Sequence, residues 1–159
     1  MKSADEILIH AVAFVRNDRI KPEDYSWGDV ISEINLADDL PDECLQGIDA
    51  YSHLEIIFYF NLLKDKDVVF DLRHPRNNKK YPLAGIFAQR GSSRPNKLGA
   101  TMVELVEVKK RSLVVKGLDA INGTPVIDIK PVMKEFLPTG EVKQPEWSKD
   151  LMSTYWKGI

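Results

Sequence analysis

The sequence has little of what a disulfide-stabilised, metal-binding or membrane-spanning protein needs. Cys44 is the only cysteine among 159 residues, so no internal disulfide can form and we expect a reducing, cytoplasmic compartment. His10, His53 and His74 lack the spacing of metal ligands, so no metal site is predicted. No apolar run approaches the roughly 20 residues that cross a bilayer. Acidic residues precede the first apolar block, which is unlike a secretory signal.

The sequence also lacks long helical periodicity and the G-x-G-x-x-G turn of dinucleotide-binding sheets. Short β-prone runs instead alternate with turn residues, in a chain that is 43% hydrophobic and 29% charged. This pattern predicts a mainly β protein: a single small β-barrel, over residues 1–159, with short helical additions including a C-terminal helix.

The predicted strands cover residues 7–15, 30–36, 53–62, 67–73, 85–90, 100–108, 113–118 and 126–130. The first is expected to be buried on both faces, and Met102 is expected to face the core. A helical turn is predicted over 38–46. In the segment 146–156, Trp147, Leu151 and Tyr155 recur every four residues, which predicts an amphipathic helix packed on the barrel or on a partner.

The charge is unevenly distributed along the chain. The net charge of −2 argues against general nucleic-acid binding, yet residues 72–103 hold seven basic residues and no acid. A basic segment in an otherwise acidic protein predicts a phosphate-contacting surface, although a solvated loop cluster is the alternative. The candidate substrate- or RNA-binding residues are Arg73, Arg76, Lys79, Lys80, Arg94 and Lys97.

The stretch Gly85–Gly99 reads GIFAQRGSSRPNKLG, an apolar run followed by a loop that is rich in hydrogen-bond donors. Arginines, small polar residues and glycines in such a loop suit a charged or polar ligand. An ordinary polar hairpin is the alternative. Asn61, near the end of a predicted central strand, is either a ligand-binding amide or a satisfied strand-end side chain.

Three blocks of the sequence resemble the TsaA-like (TrmO-type) family of β-barrel methyltransferases. Gly85–Gly99 is similar to the family pattern G-V-F-A-T-R-S-x-x-R-P-N-P-I-G, and Gly117–Pro131, read GLDAINGTPVIDIKP, is similar to D-L-x-D-G-T-P-V-L-D-I-K-P. Gly47–Leu54 matches G-L-E-x-F-S-H-L. The resemblance runs from about Gly47 to Pro131, with the blocks in the family's order.

The resemblance implies a homodimer that binds S-adenosylmethionine and methylates the exocyclic amine of a modified adenosine in tRNA. The cofactor-binding residues that it implies are Asn61, Leu62, Arg90, Ala100, Asp119, Ala120, Ile121, Asn122 and Gly123. No general base follows from it. Asp128 is a candidate, but a strand aspartate beside Lys130 is more often structural.

The chain departs from the family pattern toward both ends and at three positions within the matching blocks. The N-terminal I-G-x-I-x-S-P and P-R-Q elements have no clear match, and the C-terminal domain of the larger bacterial members has no counterpart in this sequence. Lys97 stands where the family usually has proline, Gln89 where it has threonine, and Asn122 where it has aspartate. These departures leave two alternatives to the enzyme: a barrel that binds a nucleotide or RNA without catalysis, and a silent interaction protein.

Overall fold

The computed structural model describes residues 6–157, in which six strands close into one antiparallel barrel. The barrel follows the order β1-β2-β7-β6-β3-β8, and β4 pairs with β5 outside it. The strands are β1 Ala13–Arg16, β2 Ile31–Leu36, β3 His53–Tyr59, β4 Leu72–Arg73, β5 Ala84–Gly85, β6 Leu98–Val108, β7 Ser112–Lys116 and β8 Pro125–Pro131. The prediction of a mainly β barrel is confirmed.

Helices are short and lie between or after the strands. The 3-10 helices are Asp42–Leu45, Ile48–Ala50, Asp65–Asp67, Pro75–Asn77, Ile86–Ala88 and Lys134–Phe136, and the α-helix α1 is Glu146–Leu151. Within residues 6–157 no helix has the length and apolar character that a membrane crossing requires. The predicted capped helical turn over 38–46 is confirmed as the 3-10 helix that follows Pro41, but no side chain caps it.

The barrel interior is filled by alternate residues of each strand. On β3, Leu54, Ile56 and Phe58 are at most 1% exposed, while the residues between them point outward and are partly accessible. This period of two is the pattern of a strand with one face on a core. The same interior includes Val115 from β7 and Val126 from β8, both fully buried.

The central strand β3 lies between β6 and β8. It pairs with β6 from His53↔Glu104 to Tyr59↔Leu98 and with β8 from Leu54↔Pro131 to Phe58↔Val126. Gly99 lies opposite Phe58, and a Cβ on Gly99 would come within 2.5 Å of the Phe58 ring. Glycine is therefore required there because the aromatic ring occupies the space of a side chain.

The prediction of a doubly buried strand over residues 7–15 is wrong. The strand is only Ala13–Arg16, extended by two backbone hydrogen bonds of Val12, and the side chains of Ile7 and Leu8 are 82% and 83% exposed. The reason is the extent of the partner strands: the β1–β2 ladder ends at the Ala13↔Leu36 pair. An apolar, β-prone run becomes a strand only where another strand satisfies its backbone groups.

Two further strand predictions, over 67–73 and 85–90, are largely wrong. Only Leu72–Arg73 and Ala84–Gly85 form a ladder, a two-stranded sheet outside the barrel. The apolar residues after Gly85 turn into a 3-10 helix instead, which buries Ile86 and leaves Phe87 77% exposed. This turn ends at Gln89, whose side-chain amide donates to the carbonyl of Arg73 at 2.8 Å and to that of Ala84 at 2.9 Å.

Two details of the predicted elements also differ. Met102 is 49% exposed, because Thr101 and Val103 are the residues of β6 that face inward. The register of β6 against β7 shifts between Leu105 and Glu107, a bulge that resets the alternation. At the C-terminus the α-helix ends at Leu151, so Tyr155 does not share a helical face with Trp147.

Candidate functional site

A cavity of about 280 Å³ opens at one end of the barrel. This volume is near the lower end of the roughly 300–1,000 Å³ that small-molecule sites occupy. Its walls come from segments that are distant in the sequence: residues 22–24, 60–63, 90–92 and 119–121, together with Trp27, Phe58, Thr124 and Tyr155.

The turn after β3 places Asn61 and Leu62 in the cavity wall. The strand ends at Tyr59, whose carbonyl accepts a hydrogen bond from the backbone N–H of Asn61 at 2.8 Å. The Leu63 N–H then donates to the carbonyl of Phe60 at 3.1 Å, which closes the turn. Asn61 and Leu62 are both exposed, so their side chains are accessible at the opening.

The loop before β6 contributes Arg90 to the same cavity. Its Nη2 donates to the carbonyl of Ala100 at 2.5 Å, which holds the guanidinium at the cavity edge. A guanidinium has five N–H donors, so others stay available to a ligand. Ala100 does not line the cavity, and its part is to accept this hydrogen bond from Arg90.

Lys97 connects the two segments just described. Its ammonium group donates to the carbonyl of Leu63 at 3.0 Å and forms an ion pair with the exposed carboxylate of Asp65. That hydrogen bond raises the pKa of Lys97 and lowers the pKa of Asp65. Lys97 is 9% exposed. Lys97 is therefore buried and paired within the protein, and it does not contribute to an exposed basic surface.

The turn before β8 supplies Asp119, Ala120 and Ile121. Leu118 is fully buried and Ala120 is 3% exposed, so the core anchors the backbone on both sides of Asp119. The two oxygens of the Asp119 carboxylate accept hydrogen bonds from the hydroxyls of Thr101 and Tyr155. These two donors hold the carboxylate in one orientation at the cavity wall.

Asn122 and Gly123 do not line the cavity. The Asn122 N–H donates to the carbonyl of Arg19 at 2.7 Å, and its side-chain oxygen accepts from the N–H of Asn17 at 3.2 Å. Gly123 has φ +82° and donates its N–H to the carbonyl of Val15 at 2.7 Å. Both residues attach the turn to the end of β1, and so position Asp119–Ile121.

The cavity also has an acidic wall, with aromatic residues around it, that no pattern in the sequence indicates. Glu23 and Asp24 line the cavity, and the buried indole of Trp27 donates to the carbonyl of Glu23 at 2.6 Å. The guanidinium of Arg19 lies 4.3 Å from the centroid of the Trp27 ring and 3.4 Å from the Glu23 carboxylate. Nothing local marks these residues, because they lie in irregular chain and act through contacts distant in sequence.

Tyr155 was also missed as a site residue. Burial raises the pKa of its phenol far above the usual range, and the neighbouring Asp119 carboxylate raises it further. The hydroxyl therefore stays protonated and remains a hydrogen-bond donor at any physiological pH.

The predicted substrate-binding residues lie partly at the cavity rim and partly in local ion pairs. Arg76 is at the rim, where its Nε lies 3.4 Å from the Asp24 carboxylate. Arg73 donates to the side chain of Asn77 at 2.9 Å, and Lys80 pairs with Asp150 at 2.8 Å. Lys79 is exposed.

Arg94 and Asp128 have intramolecular partners. A side-chain nitrogen of Arg94 donates to the carbonyl of Gln89 at 3.1 Å, so Arg94 braces the loop that carries Arg90. Asp128, the candidate base, pairs with Lys130 at 2.6 Å and accepts from the N–H of Ile129, and it does not line the cavity. In the described part of the chain no three His, Cys, Asp or Glu residues converge as metal ligands do.

A sequence model of the tRNA-methyltransferase O N-terminal domain matches residues 16–136. The chain belongs to this family. The matched range contains every barrel strand from β2 to β8 and all the cavity-lining segments except Tyr155.

Two curated relatives are 36% and 38% identical to the chain over the aligned residues. The chain is 38% identical over 116 residues to the tRNA (adenine(37)-N6)-methyltransferase of Escherichia coli K12, which covers 70% of this chain and 45% of that protein. It is 36% identical over 95 residues to a probable S-adenosyl-L-methionine-binding protein of Pyrococcus abyssi, covering 59% of this chain and 48% of that protein. The chain thus spans about half or less of the curated relatives it matches.

Solved TrmO structures share the fold. A crystal structure of TrmO from Pseudomonas aeruginosa superposes with a TM-score of 0.70 at 21% identity, covering 87% of this chain and 61% of that one. Another crystal structure of TrmO gives 0.71 at 20% identity, covering 89% and 62%. At this identity the likeness establishes the architecture of the barrel.

Proposed function

We propose that the protein is an S-adenosylmethionine-dependent methyltransferase that modifies the exocyclic amine of a modified adenosine in tRNA. The observation that carries the proposal is the convergence of Asn61, Arg90 and Asp119–Ile121 on one cavity. The printed names of the relatives, a tRNA adenine methyltransferase and an S-adenosyl-L-methionine-binding protein, support the same activity.

The residues around the cavity fit the chemistry of this cofactor. S-adenosylmethionine carries a positive sulfonium and ammonium, a carboxylate and an adenine ring. The carboxylates of Glu23, Asp24 and Asp119 attract the positive groups, and the guanidinium of Arg90 suits the carboxylate. The aromatic rings of Phe58 and Phe60, 5.3 Å apart, and of Trp27 give a surface against which an adenine can pack.

The protein's part in the reaction is binding and orientation. When bound, the cofactor supplies an electrophilic methyl group, so the protein does not have to form a covalent intermediate. We propose that Asn61, Arg90 and Asp119 hold it in one orientation, and that the apolar wall excludes water from the reacting end. Alignment of an acceptor amine with the methyl group then supplies much of the rate enhancement.

The basic segment suits the phosphates of a tRNA. Arg76 at the rim and the exposed Lys79 belong to the acid-free stretch, and Arg90 of the same stretch lines the cavity. We propose that the anticodon stem approaches from this side, where cations attract its backbone.

The proposal is tested with radiolabelled S-adenosylmethionine and total tRNA. We expect the protein to retain the labelled cofactor in equilibrium dialysis and to transfer label to tRNA, with the N-methylated form of the modified adenosine as the labelled digestion product. Retention of RNA without label uptake would support a binding barrel instead. Binding of neither would support an interaction protein.

We also propose a homodimer in the cytoplasm. Large apolar side chains in the region 62–87 are exposed, including Leu62 at 69%, Phe70 at 61% and Phe87 at 77%. Such exposure suits a subunit interface. Sedimentation equilibrium should give a mass near twice the 18.1 kDa of one chain, and a monomer at micromolar concentration would contradict the proposal.

A further inference from the structure

The chain after α1 returns to the barrel and docks beside an N-terminal loop. Here "the tail" means residues 152–157. Three backbone hydrogen bonds join the tail to residues 26–28: Ser26 N–H to the Thr154 carbonyl, Trp27 N–H to that of Tyr155, and Gly28 N–H to that of Trp156. Their lengths are 2.9–3.1 Å. The tail therefore forms a short ladder with this loop, although neither segment is a regular strand.

This ladder inserts Tyr155 into the cavity. The hydroxyl of Tyr155 donates to one carboxylate oxygen of Asp119, while the hydroxyl of Thr101 donates to the other. Thr101 belongs to the barrel strand β6, whereas Tyr155 comes from a tail that lies outside the barrel strands and is joined to residues 26–28 by these three backbone hydrogen bonds. The orientation of the Asp119 carboxylate thus depends on the position of the tail.

A second loop braces Tyr155 from the solvent side. The guanidinium of Arg76 lies 5.8 Å from the centroid of the Tyr155 ring and also contacts Asp24, with Nε to carboxylate 3.4 Å and Nη2 to carbonyl 3.2 Å. Arg76 and Asn77 both adopt left-handed backbone conformations, with φ +51° and +56°. Consecutive non-glycine residues in this region store strain, which is typical of segments held for a function.

We propose that Tyr155 is a positioning residue of the cofactor site: the tail carries it against Asp119, and so sets the carboxylate that binds S-adenosylmethionine. This inference rests on the proposed function. It assigns to the C-terminal tail the completion of a pocket whose other walls belong to the barrel and its loops. A carboxylate has about four lone-pair sites, so an Asp119 carboxylate with two hydroxyl donors can still accept hydrogen bonds from a ligand in the cavity.

Tyr155→Phe tests the hydroxyl alone, since the ring and its packing remain. We expect the dissociation constant for S-adenosylmethionine, measured by calorimetry on the full chain, to rise roughly five- to tenfold, the loss of about one well-placed hydrogen bond. We expect the KM for the cofactor to rise by a similar factor while kcat at saturating cofactor changes less than about twofold. If the hydroxyl had only a structural role, its loss would lower the melting temperature, and KM for the cofactor would stay near its wild-type value.

Gly28→Ala tests the tail without altering any cavity side chain. A Cβ on Gly28 would lie 2.2 Å from the Trp156 carbonyl oxygen, a backbone atom that can move aside only if the tail undocks. We expect weaker cofactor binding, by at least as much as in Tyr155→Phe, and faster hydrogen exchange at the Trp27 amide. Gly85→Ala is the matched control, because no atom lies within 4 Å of its added Cβ.

The outcomes separate the two proposals. The inference is supported if both variants bind the cofactor more weakly and the double variant Gly28→Ala/Tyr155→Phe has the same dissociation constant as Gly28→Ala alone. Such non-additivity would mean that the hydroxyl acts only when the tail is docked. If wild type binds the cofactor and Tyr155→Phe binds equally well, the inference is overturned and the proposed function stands. If wild type does not bind it, the proposed function falls and the inference falls with it.

Discussion

Arg90 is held in the cavity wall by a side-chain hydrogen bond to one backbone carbonyl. Its bond to the Ala100 carbonyl holds it at the cavity while other N–H groups face the ligand space. We expect Arg90→Ala to weaken S-adenosylmethionine binding roughly ten- to hundredfold, because hydrogen bonds to charged groups contribute about 1.5–3 kcal/mol each.

Arg16→Ala is the control for this experiment, since Arg16 is an exposed residue at the end of β1 and does not line the cavity. Full cofactor affinity and activity in Arg90→Ala would remove Arg90 from the site.

Lys97 shows how the backbone at one residue can depart from a family pattern. Its φ is +51°, and its N–H donates to the Arg94 carbonyl at 3.0 Å. Proline, which the family pattern has at this position, fixes φ near −65° and has no N–H. We therefore expect Lys97→Pro to lower the melting temperature by roughly 3 °C or more.

The control for this prediction is Lys97→Asn, because asparagine tolerates the left-handed region and keeps the N–H. Thermal unfolding followed by circular dichroism measures both variants. Equal melting temperatures for Lys97→Pro and the wild type would show that the loop can adopt the other conformation.

At the scale of the element, the pairing of β3 with β6 shapes the cavity. Gly99 on β6 leaves room for the Phe58 ring, which is 1% exposed and lines the cavity. We expect Gly99→Ala to destabilise the fold by about 1–3 kcal/mol, the usual cost of overpacking, and to weaken cofactor binding as the ring moves into the cavity.

Chemical denaturation and calorimetry measure the two effects, with Gly85→Ala as a control of the same chemistry at an open position. A Gly99→Ala variant with wild-type stability and affinity would mean that the Phe58 ring can move away from the added methyl group without entering the cavity.

At the scale of the whole molecule, the charge is divided between an acid-free segment and an acidic remainder. If tRNA binds through the basic segment, the logarithm of the association constant for tRNA falls linearly with the logarithm of the salt concentration. We expect Lys79→Gln to weaken tRNA binding at low salt and to reduce this slope by about one.

Lys110→Gln is the control, because Lys110 is also an exposed lysine but lies in the turn between β6 and β7, outside the basic segment. Filter binding over a range of salt concentrations gives both slopes. An unchanged slope in Lys79→Gln would place the RNA elsewhere.

The sequence by itself determined the barrel and the turns that carry most of the polar site residues. Short β-prone runs and the turn residues between them are local properties, so the architecture could be predicted without coordinates. Arg90 is marked locally by its place in a donor-rich loop, and Asn61 by its place near a strand end, whereas their assignment to a cofactor site, and that of Asp119, came from the resemblance to the family.

Only the tertiary structure decided which apolar runs become strands and which residues close the cavity. Residues 7–11 are β-prone but pair with no strand, whereas Tyr155 lies outside the helix because residues 26–28 donate backbone hydrogen bonds to the tail. Glu23, Asp24 and Lys97 likewise take their roles from residues far along the chain. Hydrogen-bond partners and close packing are non-local, and a pattern in neighbouring residues does not specify them.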